Sequence, residues 1–148
     1  MTFKMFIHIP KNGGMTIRKI DGIQNKVLFC RHGHHVSMDY TKRLEQKMHS
    51  TGDHQGYEHA RWRDWRTDIR EQYKAFAIVR NPWDRVVSRY LFAKKVMFHE
   101  ESQPKNYADV SSFEAFLEER HKWGDEEFMW HRAVRGWYPA FDHVSDEK

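Results

Sequence analysis

Two short segments of the chain share one pattern, in which an apolar, strand-like run ends in a turn and leads into a helical pattern. They are His8–Gly14 and Val79–Ser88. A strand that ends in a Gly- or Pro-containing turn before a helix presents backbone N–H groups, which suit an anion. Because Lys11 stands at the first turn and Arg80 at the second, the sequence predicts a ligand with two separated anionic groups. A nucleotide with phosphates at both ends of its ribose fits that description.

Apolar runs that alternate with helical patterns predict an α/β fold with a small parallel sheet flanked by helices. The predicted strands are Thr2–Ile9, Val27–Cys30 and Ala75–Val79. The third run is apolar on both faces, as expected in a parallel sheet that helices cover. With 148 residues, no internal repeat and no low-complexity linker, the chain is expected to form a single domain over residues 1–148.

Helical spacing of apolar residues predicts helices between these strands and after them. The predicted helices are Met15–Ile20, Tyr40–Met48, Tyr57–Tyr73, one that follows Asn81, one around Phe113–Leu117 and Phe128–Val134, with polar loops at His49–Gly56 and His99–Asn106. Asn81 suits an N-cap and Pro82 the first helical position. The apolar stripe of that helix is expected to face the core and comprises Trp83, Val86, Val87, Tyr90 and Leu91.

Composition limits the classes of function. A formal net charge of +4 suits anionic ligands, but ordinary solubility explains it equally well, so it predicts no nucleic-acid partner. Cys30 is the only cysteine, which excludes an intrachain disulfide and a thiolate metal cluster. No apolar stretch has the length of a membrane span or the character of a signal peptide. The sequence therefore indicates a soluble cytoplasmic protein without a membrane partner.

The first of the two segments is a candidate phosphate-binding loop. Lys11 places a positive charge there, Gly13 and Gly14 let the backbone approach an anion closely, and Thr16 adds a hydroxyl. An ordinary strand-to-helix turn that contains two glycines is the alternative. Because the lysine precedes the glycines, the spacing is not that of a Walker A loop, which argues against an ATPase or nucleotide kinase.

The second segment combines a guanidinium with a hydroxyl. Ser88 follows Arg80 by about two helical turns, and together they could grip a phosphate near the start of the helix. The alternative is that Arg80 makes a structural ion pair and Ser88 is a tolerated small polar residue.

Both segments resemble those of a known family. His8–Ile17 looks like the 5′-phosphosulfate-binding loop of sulfotransferases, in the HIPKTGGTS form of the carbohydrate (family 2) branch. Val79–Tyr90 looks like the 3′-phosphate-binding segment of that family, commonly RNPWDRxxSxY. Asn12 and Met15 stand where the family usually has threonine, and Thr16 is placed to supply the missing hydroxyl.

The resemblance covers residues 1–95 of a chain that is short for this family. It implies a P-loop-like three-layer sandwich and sulfuryl transfer from 3′-phosphoadenosine 5′-phosphosulfate (PAPS) without a metal. It assigns the 5′ end of the donor to Lys11, Asn12, Gly13, Gly14, Met15 and Thr16, and the 3′-phosphate to Arg80 and Ser88. Lys11 is also implied to neutralise charge on the departing oxygen.

A cluster of histidines follows the second predicted strand. Phe29–His35 is similar to the HGH segment of uronyl 2-O-sulfotransferases, in which a histidine serves as the catalytic base. Matched positions make His34 the base and His32 its supporting histidine, and the adjacent His35 is the alternative base. A histidine suits this role because its ordinary pKa lies near neutrality. Metal binding is the weaker alternative, since no carboxylate or cysteine ligand stands at a persuasive spacing.

Aromatic residues supply two further expectations. In Arg61–Arg66, Trp62 could line an acceptor site, but the interpretation we favour makes Trp62, Trp65 and Ile69 the core face of a helix with solvated arginines. Rings that could stack on adenine are Trp130, Trp137, Tyr138 and Phe141.

The acceptor and two rival classes of function stay open at this point. The resemblance favours a carbohydrate acceptor, whereas the absence of long insertions favours a small phenol or alcohol. A bacterial or viral setting is expected. The rivals are a P-loop-type kinase with a degenerate phosphate loop and a non-catalytic domain that binds nucleotides or polyanions. The sequence does not give the oligomeric state.

Overall fold

The computed structural model describes residues 3–51, 56–99, 109–118 and 139–146. Contacts divide the chain into two compact units, of which one comprises Met1–Val79 with Pro139–Lys148 and the other Arg80–Tyr138. The predicted helix Phe128–Val134, the predicted loop after His99, and Trp130, Trp137 and Tyr138 lie outside the described residues.

The first unit contains a three-stranded parallel sheet in the order β2–β1–β3, which confirms the predicted α/β class. The strands are β1 (Phe3–Ile7), β2 (Val27–Phe29) and β3 (Tyr73–Ala77). Met5 of β1 stands opposite Leu28 on one side and Ala75 on the other. Because the strands are parallel, all three end at one edge of the sheet, the carboxyl edge, and the loops that follow them begin there.

Helices lie between and after these strands. In chain order they are α1 (Gly14–Arg18), α2 (Met38–Thr51), α3 (Thr67–Gln72), α4 (Pro82–His99), α5 (Phe113–Glu118) and α6 (Ala140–Val144). Within the described ranges, no helix has both the length and the apolar character needed to cross a membrane. The predicted loop at His49–Gly56 begins too early, because α2 continues to Thr51.

An aromatic cluster forms the core on one face of the sheet. The ring centroid of Phe6 lies 5.7 Å from that of Phe29 and 5.3 Å from that of Phe76. Ile17 of α1 packs against this cluster and links the first helix to the sheet. The prediction that β3 is covered on both faces is not confirmed, because four of its residues are half-buried and one is exposed. β3 is also an edge strand of the described sheet.

The predicted helix over Tyr57–Tyr73 is also wrong. Two 3₁₀ turns, Tyr57–His59 and Trp62–Asp64, occupy its first half. The second turn closes because Arg61 donates from its backbone N–H and from Nε to Asp64 Oδ2, at 3.1 and 2.8 Å. Trp65 then forms an antiparallel bridge with Val36, a distant contact that helical spacing does not reveal.

Of the three arginines predicted to be solvated, Arg66 is exposed, whereas Arg61 and Arg63 contact α6. Arg61 is only 8% exposed. Arg63 Nη1 donates to the carbonyl oxygen of Asp142 at 3.0 Å, and its guanidinium also pairs with the Asp142 carboxylate. Arg61 Nη1 lies 3.5 Å from the same carboxylate. Two arginines therefore share one acidic residue of the C-terminal helix.

In the second unit, α4 begins as predicted. Asn81 Oδ1 accepts a hydrogen bond from the N–H of Trp83 at 3.0 Å, which is an N-cap interaction, and Pro82 is the first helical residue.

The expected core stripe of α4 is wrong for Trp83, Val87 and Leu91, which are 79%, 45% and 59% exposed. Arg85, Arg89 and Ala93 are buried instead. Long arginine stems can cover apolar surface while their charged ends keep polar partners, so charge alone does not mark the solvent face. Within this unit the ring of Tyr90 packs against two rings of α5, Phe113 and Phe116, at 5.3 and 5.5 Å.

Candidate functional site

The loop after β1 has an unusual backbone. Lys11 has φ 64° and Gly13 has φ 82°, so both lie in the left-handed region. Glycine adopts that region freely, but for lysine it costs about 1–2 kcal/mol. Strain of this kind is often stored at functional sites. The backbone therefore singles out the lysine that the sequence proposes as a ligand of the anion.

Three consecutive amides of this loop have no hydrogen-bond acceptor among the described residues. The N–H of Asn12 donates to the Ile9 carbonyl at 3.4 Å, and the N–H of Thr16 donates to the Gly13 carbonyl at 3.0 Å. Within the described residues, the N–H groups of Gly13, Gly14 and Met15 donate no hydrogen bond. Amide donors without an acceptor, close in the chain to Lys11, suit an oxyanion.

The buried side chain of His8 packs against this loop at Gly14. A β-carbon built on Gly14 would lie 2.0 Å from His8 Nε2, so only glycine fits above this ring. The ring of His59 packs 4.5 Å from that of His8, and His59 Nδ1 lies 3.0 Å from the His8 carbonyl oxygen. Burial, and secondarily the charge of Arg18, lower the pKa of His8 to about 4. His8 is therefore neutral at pH 7 and acts as packing.

The loop side chains differ sharply in exposure. Met15 is 60% exposed and Thr16 is exposed, whereas Asn12 is 4% exposed. Neither Oδ1 nor Nδ2 of Asn12 forms a hydrogen bond with the protein. A buried polar group without a partner costs about 1–3 kcal/mol. Sequence reasoning gave Asn12 no side-chain role, since burial and pairing are tertiary properties.

The three predicted histidines lie together beyond β2. His34 and His35 belong to a 3₁₀ turn, Gly33–His35. The His34 ring centroid is 4.1 Å from that of His35 and 5.3 Å from that of His32. His34 is exposed, and its ring nitrogens make no hydrogen bond within the described residues. Because β1 and β2 are neighbouring parallel strands, this turn and the Lys11 loop both begin at the carboxyl edge of the sheet.

His35 is poorly suited to be the base. Its Nδ1 accepts a hydrogen bond from the N–H of Arg31 at 3.4 Å, and its ring stacks on Trp65 with centroids 6.0 Å apart. Burial, and next the neighbouring His34, lower the pKa of His35 to about 4. The neutral ring then carries its hydrogen on Nε2, which leaves no lone pair for a proton. Of the two, His34 has the open ring nitrogens that a base needs.

Trp62 lies at an apolar cleft in the first unit. The cleft has a volume of about 310 Å³ and is lined by Ile7, Trp62, Ala75, Phe76, Ala77 and Val144. The guanidinium of Arg70 lies 5.4 Å from the centre of the Trp62 ring, a cation–π contact that orients it. Small alanines at the end of β3 leave this space open. In the part of the chain that is described, no three histidine, cysteine or acidic residues are arranged to hold a metal ion.

Of the remaining predicted residues, Arg80 and Ser88 belong to the second unit and Phe141 to the first. Arg80 is exposed and makes no ion pair among the described residues, so the alternative of a structural ion pair has no support there. Ser88 is half-buried on α4. Phe141, a predicted adenine-stacking ring, lies on α6 in the first unit and is 67% exposed.

Comparison with known proteins identifies the class. The profile of the Sulfotransferase family matches residues 4–142, nearly the whole chain. The chain therefore belongs to the sulfotransferase family, and the resemblance predicted from the sequence is confirmed at that level. No curated protein and no solved structure matches the chain.

Proposed function

We propose that this protein transfers a sulfuryl group from PAPS to a hydroxyl of an acceptor. Membership of the sulfotransferase family carries the proposal, because it makes sulfuryl transfer the expected reaction. Two local features support it: the Lys11 loop with its open amides, and the exposed ring of His34 beyond the neighbouring strand. The narrower assignment to a uronyl 2-O-sulfotransferase-like branch stays a prediction, as does a cytoplasmic location.

The donor would be held by its two anionic ends. Lys11 and the amides of Gly13, Gly14 and Met15 would bind the 5′-phosphosulfate. Arg80 and Ser88 are assigned to the 3′-phosphate from the sequence resemblance, and the exposure of Arg80 supports a role toward a ligand. The protein's own cations would balance the donor, so we expect turnover to be insensitive to a chelator.

In the proposed reaction the acceptor oxygen attacks sulfur in line. His34 takes the proton from that hydroxyl, a sulfur–oxygen bond forms, and the bond between sulfur and the bridging oxygen of the donor breaks. The product nucleotide, 3′,5′-bisphosphoadenosine (PAP), leaves with the electron pair, and Lys11 stabilises the charge that develops on the bridging oxygen. Positioning and preorganised charge would supply most of the acceleration.

The acceptor class has two candidates. A carbohydrate follows from the family branch that the sequence resembles. A small phenol or alcohol is supported by the cleft beside Trp62, since its lining side chains offer little to pair with the hydroxyls of a sugar. We therefore propose that an acceptor screen include aromatic alcohols as well as saccharides.

A pair of variants tests the assignment of roles. His34→Ala should lower turnover with PAPS by about 10²–10⁴-fold, because the general base is lost, while PAP binding stays nearly unchanged. Arg80→Ala should instead weaken PAP binding. The measurements are transfer of labelled sulfuryl from PAPS to the acceptor and calorimetric titration with PAP. An equal loss of PAP binding in His34→Ala would show that His34 is structural.

The rival functions give different results in the same assays. PAP binding without turnover across the acceptor screen would indicate a non-catalytic nucleotide-binding domain. Turnover that depends on magnesium and ATP would indicate a kinase.

A further inference from the structure

The apolar cleft of the first unit lies at the carboxyl ends of two strands. Two of its lining residues, Ile7 and Ala77, are the last residues of β1 and β3 and stand opposite each other in the register. The loop that carries Lys11 begins directly after Ile7. The cleft and the proposed donor-binding loop therefore begin at the same edge of the sheet.

Two small side chains of β3 leave the space for this cleft. Ala75 and Ala77 are two residues apart, so both point to one face of the strand. Phe76 between them points to the opposite face, where its ring packs against Phe6. Strands favour larger β-branched and aromatic side chains, and alanine is depleted in them. Both alanines are only half-buried, so the space beside them is not filled by packing.

The other walls of the cleft are held in place by charged contacts. The guanidinium of Arg70 lies 5.4 Å from the centre of the Trp62 ring, and its Nη1 pairs with Asp146 Oδ1 at 2.8 Å. Val144 lines the cleft from α6, the helix that the arginine pairs of Asp142 hold. A cleft with fixed walls needs little reorganisation to bind a ligand.

The segment that carries Trp62 is joined to the turn that carries His34. Four positions beyond Trp62, the N–H of Arg66 donates to the His35 carbonyl oxygen at 3.1 Å. Arg66 Nη1 donates to the His34 carbonyl oxygen, also at 3.1 Å. One wall of the cleft and the proposed base thus belong to one connected part of the first unit.

We propose that this cleft holds an aromatic ring of the acceptor, with the acceptor hydroxyl directed toward the carboxyl edge, and that Ala77 limits the size of the ring. The lining side chains carry one polar group, the indole N–H of Trp62, so sugar hydroxyls would be buried there without partners. An aromatic ring gains instead from apolar burial and from contact with Trp62.

The volume of the cleft suits such a ring. A cavity of about 150 Å³ holds benzene. At about 310 Å³, the cleft has room for one ring or for two fused rings. This assignment rests on the proposed function, since it concerns the acceptor of sulfuryl transfer.

The ratio of kcat/KM for 2-naphthol to that for phenol measures the space in the cleft and does not depend on the fraction of protein that is folded. Ala77→Leu places a larger side chain in the cleft. It should lower this ratio about 10-fold or more, because apolar pockets discriminate differences of one methylene by about that factor. Transfer of labelled sulfuryl from PAPS gives both rates, and calorimetric titration should show unchanged PAP binding.

Val144→Ala is the second variant. Val144 is 42% exposed, so its truncation enlarges the cleft with little effect on the fold, and it should raise the same ratio. Ala115→Leu is the matched control, because Ala115 is a half-buried alanine of α5 that does not line the cleft. It should leave the ratio unchanged.

The wild-type protein distinguishes the two levels of failure. If it binds PAP and transfers sulfuryl to methyl glucoside but not to phenol or 2-naphthol, the aromatic acceptor is overturned and the proposed function stands. An unchanged ratio in Ala77→Leu would overturn the cleft as the acceptor site. No PAP binding by the wild type would overturn the proposed function, and this assignment with it.

Discussion

The imidazole of His8 fills the space that a side chain at Gly14 would need. A β-carbon at Gly14 would lie 2.0 Å from His8 Nε2, well inside van der Waals contact. His59 packs against the same imidazole, with ring centroids 4.5 Å apart. A buried histidine at the end of β1 therefore fixes the path of the glycine loop into α1.

Gly14→Ala should destabilise the protein more than Gly22→Ala, as measured by urea denaturation. Gly22 has φ 71° and open space around it, so alanine there costs only backbone strain, about 1–2 kcal/mol. Alanine at Gly14 must displace the His8 ring. Addition of His8→Ala should make the Gly14→Ala change less costly, because the clash is removed. Strictly additive losses in the double variant would contradict this packing.

Stability should fall in mild acid because of His8. Its pKa is about 4 in the folded protein and about 6.5 when unfolded, so the unfolded chain binds the proton more tightly. Its contribution is fully present above pH 6.5 and is lost as the pH falls toward 4. The loss from His8 alone is at most about 3 kcal/mol. His35, whose pKa is also lowered to about 4, should add to the same trend.

Urea midpoints measured at pH 7 and pH 5 check this expectation in the wild type and in His8→Gln. The variant should lose less stability between the two pH values than the wild type does. His32→Gln removes an exposed histidine and serves as the control. A wild-type and a His8→Gln protein with the same pH dependence would exclude His8 as the cause.

Lys11→Gly should separate stability from activity. Glycine relieves the left-handed strain at this position, and the greater freedom of the unfolded chain offsets part of that gain, so stability should hold or rise by up to about 1 kcal/mol. Sulfuryl transfer should nevertheless fall sharply because the charge is gone. Lys19→Gly is the control: Lys19 has φ −90°, so glycine there should only destabilise. Full activity in Lys11→Gly would show that the lysine has no role in the reaction.

The sequence correctly predicted features that depend on residues close together in the chain. The start of α4 follows from Asn81 and Pro82, whose capping preferences act within one turn. The helix predicted over Tyr57–Tyr73 failed because the Arg61–Asp64 contact and the bridge from Trp65 to Val36 override helical spacing.

The candidate site likewise has parts that the sequence shows and parts that appear only in the fold. The glycine loop and the histidine cluster are visible as motifs, and belonging to the sulfotransferase family is confirmed. The buried, unpaired amide of Asn12 and the bound Nδ1 of His35 depend on contacts that form only in the fold. The exposure of Trp83 is of this kind too, because the sequence does not show which face of α4 finds partners.

Calorimetric titration with PAP, with AMP and ATP as controls, is the decisive test of PAPS as the donor. PAP should bind at least about 10-fold more tightly than AMP, a difference of about 1.4 kcal/mol, because only PAP offers a 3′-phosphate to Arg80 and Ser88. Arg80→Ala should abolish that preference. Equal affinity of the wild-type protein for PAP and AMP would leave the second anion-binding segment without a role and would contradict the use of PAPS as donor.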